Sequence, residues 1–295
     1  MHAFIPLAAA AGSHRRIVHQ TRGQVHGPIT RLVSPSDLGE LLKPFVFLDL
    51  FETEPSAFAG FGMHPHSGIA TLTLIQQGSS RYEDSTGKQG VLPEHGVEWM
   101  QAGGGVWHTG GPIAGPRVRG FQLWVALPPG LENAPAFSQY LAPHDIASCG
   151  PARVVLGSHG GVGSPIAPTS PMNYLAVQLR DGETWRYDPP AGHSVAWVAV
   201  SGGQVQSSAL LAAGELAVYD TSGQAIDFRA IGDAEFVLGS AVPHPHPLVL
   251  GSYSVHTSPD ALRRGEEGIR REGARMRAAR AAITQPEAFR SKRSA

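Results

Sequence analysis

Three histidines in the first half of the chain have the spacing of a metal site. His64 and His66 flank Pro65, and His108 follows the glycine run 103–105. Because side chains alternate between the two faces of a β-strand, His64 and His66 share one face. If a later strand brings His108 beside them, three neutral nitrogen donors converge, and such a set binds a divalent metal in barrel proteins. The spacing therefore predicts a metal site.

The residues around these histidines favour short antiparallel strands. The segment 68–75 is rich in β-branched residues, and a turn at 77–78 separates it from a return strand over 81–83. Further strands are predicted at 97–100 and 106–108. Strands separated by turns every ten residues or so, about the spacing seen here, are typical of a small barrel or sandwich.

Composition indicates the same class. The 295 residues include 36 Gly and 24 Pro, too many for a helical bundle, and 42% are hydrophobic, which is enough for two cores. The single cysteine, Cys149, excludes an internal disulfide and predicts a reducing compartment, the cytoplasm. No apolar run reaches the roughly 18 residues of a membrane span, so we expect no membrane partner.

The chain also shows an internal repeat, in which 72–75 aligns with 197–200 and 96–100 with 214–218. The counterparts of the three histidines are then Pro189, Ala191 and a position near Ile226, none of which binds metals. We predict a loose N-terminal extension over 1–27, a metal-bearing barrel over 28–135, a linker over 136–152, a second barrel without metal ligands over 153–257, and a C-terminal helix with a basic tail over 258–295.

The C-terminal segment begins with a helix-start signal, Ser258 followed by Pro259. Leu262, Ile269 and Met276 then recur every seven residues, which predicts one narrow apolar stripe. Residues 261–295 hold ten Lys and Arg against four acids. We interpret this segment as a surface helix that docks on a barrel, and a nucleic-acid partner is disfavoured.

Five segments in this order resemble the pirin family, and the resemblance spans about residues 28 to 280. They are Phe47-Leu48-Asp49-Leu50-Phe51, His64-Pro65-His66-Ser67-Gly68, Trp99-Met100-Gln101-Ala102-Gly103, Gly120-Phe121-Gln122-Leu123-Trp124-Val125 and Gly251-Ser252-Tyr253-Ser254-Val255. The resemblance implies a bicupin, two antiparallel barrels of which the N-terminal one carries a non-haem metal, usually iron. Some pirin relatives open the ring of quercetin with dioxygen, and the nuclear form is a metal-dependent transcription cofactor.

The chain departs from the family at two glutamates. The resemblance implies a glutamate ligand two residues after the third histidine and another glutamate at the end of the first motif. Here Gly110 and Ala70 occupy those positions. Three imidazoles alone can still hold a metal. In the flavonol-cleaving relatives, however, the ligand glutamate also serves as the base for the substrate hydroxyl, so its loss predicts weak or absent quercetinase activity.

A nearby acid is the candidate replacement for the missing group. Glu98 precedes the glycine run and is a possible catalytic base, whereas Glu52, Glu54 and Glu94 lie in predicted loops. The expected cofactor is one divalent metal, first Fe(II), with Zn, Ni, Cu or Mn as alternatives.

Three functions remain open on the sequence alone. The first is a dioxygenase that acts on a flavonol-like or other enolic or aromatic small molecule. The second is a metal- or redox-responsive protein that binds a protein partner without turnover. The third is a degenerate cupin with an empty site.

Overall fold

The computed structural model describes residues 15–113, 115 and 117–284, and almost all of its regular structure is β-strand. The strands of the first half are β1 (Ile17–Thr21), β2 (Gln24–His26), β3 (Ile29–Val33), β4 (Phe45–Thr53), β5 (Phe61–His66), β6 (Ile69–Gln77), β7 (Ser80–Asp84), β8 (Gln89–Leu92), β9 (Val97–Gln101), β10 (Val106–Pro112), β11 (Val118–Ala126) and β12 (Phe137–Leu141).

The described residues of the second half contain twelve further strands, β13 to β24. They are β13 (Ser148–Cys149), β14 (Ala152–Leu156), β15 (Ser158–His159), β16 (Val162–Gly163), β17 (Met172–Leu179), β18 (Thr184–Tyr187), β19 (Val195–Gln206), β20 (Leu210–Ala212), β21 (Leu216–Tyr219), β22 (Ile226–Ala241), β23 (Val249–Gly251) and β24 (Ser254–His256). The helices are α1 (Leu38–Leu42), a 3-10 turn at Pro143–Asp145, and α2 (Pro259–Thr284).

The strands build two antiparallel barrels. A seven-stranded sheet, β12-β9-β6-β11-β4-β3-β2, and a four-stranded sheet, β5-β10-β7-β8, form the first barrel. A nine-stranded sheet, with β21, β19, β22, β17 and β14 at its centre, forms the second. The predicted all-β bicupin with a C-terminal helix is therefore confirmed.

The seven-stranded sheet has two chemically different faces because its side chains alternate. Leu48, Leu72 and Leu123 point to one face, where they join the largest apolar cluster together with Trp197 and Val237 of the second barrel. This cluster fixes the two barrels against each other by burying apolar surface from both. The opposite face looks into the first barrel.

The two barrel interiors differ in what fills them. A second apolar cluster occupies the C-terminal barrel, with Tyr187, Phe228 and Phe236 buried in it. A small polar group adjoins that core, in which His193 Nδ1 lies 2.9 Å from Ser240 Oγ. The N-terminal barrel instead encloses a cavity, whose lining is described below.

The segments predicted as an N-terminal extension and as a linker both contain paired strands. Within the predicted loose extension, β1 pairs with β21 of the second barrel and β2 pairs with β3. Within the predicted linker, β12 pairs with β9. These segments form strands because their backbones hydrogen-bond to the edge of a sheet that is distant in sequence. The composition of the segments does not show this pairing. Residues 1–14 lie outside the described part of the chain.

Helix α2 lies against the first barrel. It begins where predicted, with Ser258 Oγ accepting a hydrogen bond from the amide of Ala261. A Cβ on Gly268 would lie 1.7 Å from the carbonyl oxygen of Gly104, so the helix backbone touches the glycine run directly. Trp107 Nε1 also donates to the carbonyl of Ile269 at 3.0 Å. The basic tail beyond Thr284 lies outside the described residues.

Among the described helices, none combines the length and the apolar character needed to cross a lipid bilayer.

Candidate metal centre

The four-stranded sheet brings the three predicted histidines together. Strand β10 runs antiparallel to β5 with His108 opposite His64 and Val106 opposite His66. One nitrogen from each of the three rings can be chosen so that all three lie within 4.8 Å of one another. Over the described residues, this is the single group of three or more potential metal ligands.

Each imidazole has an oxygen beside Nδ1, at hydrogen-bond distance for His64 and His66 and slightly farther for His108. His64 Nδ1 lies 2.8 Å from the carbonyl oxygen of Gly62, and His66 Nδ1 lies 2.9 Å from that of Tyr253. A carbonyl oxygen only accepts, so both Nδ1 atoms carry the proton and both Nε2 atoms keep a lone pair. His108 Nδ1 lies 3.6 Å from Glu98 Oε1, and its Nε2 is buried without a hydrogen-bond partner.

Burial keeps two of the rings neutral. Desolvation, with the neighbouring His108 as a second cause, lowers the pKa of His64 to about 4. The same causes lower the pKa of the fully buried His66 well below its usual value. Both rings are therefore uncharged at neutral pH, which is the state that binds metals.

Glu98 lies within reach of this group because of the strand period. Its neighbours Val97 and Trp99 point into the core between the barrels, so Glu98 points into the first barrel. Besides the His108 contact, Oε2 accepts a hydrogen bond from Thr73 and Oε1 accepts one from Tyr140 at 3.3 Å. Burial alone would raise the pKa of Glu98, but hydrogen bonds from His108, Thr73 and Tyr140 lower it, so the carboxylate is ionised.

The histidines line a cavity of about 610 Å³, a volume in the usual range for small-molecule sites. Phe47 and Trp124 stack with their ring centroids 4.0 Å apart and form an aromatic wall. The rings of Trp124 and His66 meet in an edge-to-face contact. The guanidinium of Arg31 lies 4.0 Å from the Phe47 ring centre and pairs with Asp49. The cavity thus combines a flat apolar wall with polar groups beside the histidines.

Gly110 and Ala70 have different surroundings. In the regular pairing of β10 with β7, His108 and Gly110 are two residues apart and share a face, and Gly110 lines the cavity. A Cβ there would be 3.4 Å from its nearest neighbour, which is ordinary contact. Ala70 is fully buried in the core between the barrels, so a side chain at that position does not face the histidines.

The other predicted acids are engaged elsewhere. Glu52 pairs with Arg117 at 2.6 Å, and Glu94 accepts a hydrogen bond from the amide of Gly78. Glu54 lies at a separate surface hollow.

Three residues of the site were not found from the sequence: Thr73 and Tyr140, which donate hydrogen bonds to Glu98, and Tyr253, whose carbonyl lies at His66. Thr73 follows the first motif by a few residues, and the strand period would have placed it on the inner face. Tyr253 lies in a segment that resembles the family, but the sequence does not show that its carbonyl reaches His66, which is 187 positions away.

Comparisons with known proteins agree with this architecture. The Pirin family profile matches residues 27–125. A Pseudomonas aeruginosa protein named "Putative quercetin 2,3-dioxygenase" is 30% identical over 244 residues, which cover 75% of this chain and 83% of that protein. A "Pirin-like protein" of Caulobacter vibrioides is 30% identical over 230 residues, with the same two coverages.

The solved structures include a similar fold. The crystal structure of quercetin 2,3-dioxygenase from Acinetobacter baumannii superimposes with a TM-score of 0.82 at 25% identity, over 88% of this chain and 98% of that one. Together with the two barrels and the identity to the curated relatives, this shows that the chain belongs to the pirin family.

Proposed function

We propose that this protein is a metal-dependent bicupin whose first barrel binds one divalent ion through Nε2 of His64, His66 and His108. The observation that carries the proposal is the common orientation of the rings, in which every Nδ1 faces an acceptor and every Nε2 is left free. A buried Nε2 without a partner, as in His108, destabilises the fold, and a bound cation would remove this cost.

Iron(II) is the metal that we propose first. Imidazole also suits zinc, nickel and copper, so the donor set alone does not select the ion. The names of the relatives support a dioxygenase, and non-haem iron is among the cofactors that carry dioxygen chemistry. Manganese is a further alternative.

The proposed substrate is a flavonol-like or other enolic or phenolic small molecule. When bound, the metal would supply Lewis acidity and lower the pKa of a substrate hydroxyl. The protein itself would orient a planar ring against the Phe47–Trp124 wall, which lies directly beside His66. Gln122 and Thr73 offer hydrogen bonds on the same inner face.

We propose that the main role of Glu98 is to orient His108, and that proton transfer is a secondary role. Its carboxylate would hold the proton on His108 Nδ1 and keep Nε2 directed at the ion, the usual role of a carboxylate behind a metal-bound histidine. The cavity also exposes a small part of Glu98, which leaves it available as a proton acceptor for the substrate hydroxyl.

A second candidate function is metal-responsive binding of a protein partner without turnover. Gly110 favours this alternative, because the glutamate that the family resemblance implies at this position serves there as ligand and base. On this basis we expect quercetin cleavage by the unmodified protein to be slow.

Replacing His108 with alanine tests the site itself. We expect the protein to bind one equivalent of iron(II), and H108A to bind it more than about 100-fold more weakly, because one of three ligands is removed. Elemental analysis and titration under anaerobic conditions measure both. The control is H193A, which removes the buried histidine of the second barrel and should keep full stoichiometry; equal metal content in H108A and H193A contradicts the site.

Replacing Glu98 with glutamine tests its assignment. The neutral amide keeps the size of the side chain but no longer stabilises the proton on His108 Nδ1. We expect the dissociation constant for iron(II) to rise about tenfold in E98Q. Thr73→Val, which removes a hydroxyl bound to the other carboxylate oxygen, should have a smaller effect. An unchanged affinity in E98Q would show that Glu98 does not orient His108.

Introducing a carboxylate at position 110 tests the effect of the glycine. G110E places a carboxylate on the face that carries His108, where space for a Cβ is available. We expect tighter iron(II) binding and faster quercetin cleavage than in the unmodified protein. Absorbance and oxygen uptake measure the rate of cleavage. The isosteric G110Q is the matched control and should gain neither. A fast unmodified protein that G110E does not improve contradicts the proposal.

A further inference from the structure

A buried polar cluster lies behind His66, outside the cavity. The Oγ of Ser67 lies 3.0 Å from Nε2 of His256, and it donates a hydrogen bond to Oγ of Ser254 at 2.9 Å. On the other side of the ring, His256 Nδ1 lies 3.3 Å from Oε2 of Glu132. All four residues are buried.

The order of groups is that of a serine, a histidine and an acid, but the surroundings exclude a hydrolase. A nucleophilic serine must be open to its substrate, whereas Ser67 is completely buried. The backbone of helix α2 covers the pair so closely that a Cβ on Gly265 would lie 2.4 Å from His256 Nε2 and 2.5 Å from Ser67 Oγ. The cluster therefore acts on its neighbours in the chain.

Those neighbours include His66. Ser67 follows His66 directly, and the carbonyl of Tyr253 that accepts the His66 Nδ1 proton immediately precedes Ser254. The two short segments are tied together again by the amide of Val255, which donates to the carbonyl of Ser67. Tyr253 itself has φ of 59°, a left-handed conformation that a non-glycine residue keeps only when its surroundings fix it.

The far end of the cluster is also anchored. Glu132 accepts hydrogen bonds from both the amide and the hydroxyl of Thr257 at 2.7 Å. Glu132 therefore holds the residue that follows His256 through two hydrogen bonds, and its carboxylate lies beside the imidazole. A shift of His256 would displace the whole segment 253–257 relative to the end of strand β5.

We propose that His256 is a positioning residue, which through Ser67 and Glu132 holds the Tyr253 carbonyl on Nδ1 of His66 and so directs Nε2 of His66 into the cavity. The inference rests on the proposed function, since the value of that orientation comes from a metal bound at His66. Its structural part, the control of one ring by a residue 190 positions away, applies to the metal-free protein too.

The first test therefore uses the full chain without metal. Nitrogen-15 NMR of the imidazole rings reports which nitrogen of His66 carries the proton. We expect the unmodified protein to show a single Nδ1–H form of His66, and H256L to lose it in favour of a mixture. H256Q places an amide near the former Nε2 and should restore most of the single form.

The matched control is H193L, which removes the other buried histidine that contacts a serine. It should lower the melting temperature as H256L does, yet leave the His66 signal unchanged. If H256L does not fold, S67A removes the same contact with less loss of volume and is expected to show the same mixture. An unchanged His66 signal in folded H256L or S67A overturns the inference, whether or not the protein binds metal.

The second readout is the affinity for cobalt(II), which is measured from the visible absorption of the bound ion. We expect the dissociation constant to rise about tenfold in H256L or S67A and to stay at the parent value in H193L. Absence of cobalt binding in the unmodified protein would count against the proposed function alone, because the NMR result decides the positioning role independently.

Discussion

The proposed metal site depends on three imidazole protons that are held on Nδ1. His64, His66 and His108 each have Nδ1 next to an oxygen acceptor, which is a backbone carbonyl for the first two and the carboxylate of Glu98 for the third. This arrangement leaves three Nε2 lone pairs in a cavity where burial keeps the rings of His64 and His66 neutral. A cation is the natural partner for such a set, because no other group of the described residues completes the buried Nε2 of His108.

The two faces of the seven-stranded sheet have different roles in supporting this arrangement. One face of the seven-stranded sheet is apolar and packs on the second barrel, which supplies a rigid support. The other face carries Glu98, Thr73 and the aromatic wall into the cavity. The second barrel is filled by its own side chains and, within the described residues, contains no comparable histidine group. The two halves of the chain therefore share the barrel architecture but differ in what fills the barrel interior.

Local pattern was enough to predict much of this structure. The period of two placed His64 and His66 on one face, the density of turns indicated a barrel or sandwich, and the internal repeat indicated two of them. What the sequence did not show depends on contacts between distant segments: strand β1 completing the second barrel, strand β12 extending the first, and Tyr253 reaching His66 from 187 positions away. Glu98 illustrates the boundary: the sequence predicted it as a possible base, whereas its contact with His108 depends on how strands β9 and β10 are placed in the barrel.

X-ray absorption spectroscopy of the iron(II)-loaded protein tests the central claim most directly, because it counts the atoms bound to the metal. We expect three imidazole nitrogens at about 2.1 Å, completed by solvent oxygen and without a carboxylate bound through Glu98. A spectrum with fewer than three imidazoles, or an ion coordinated only by oxygen, would contradict it.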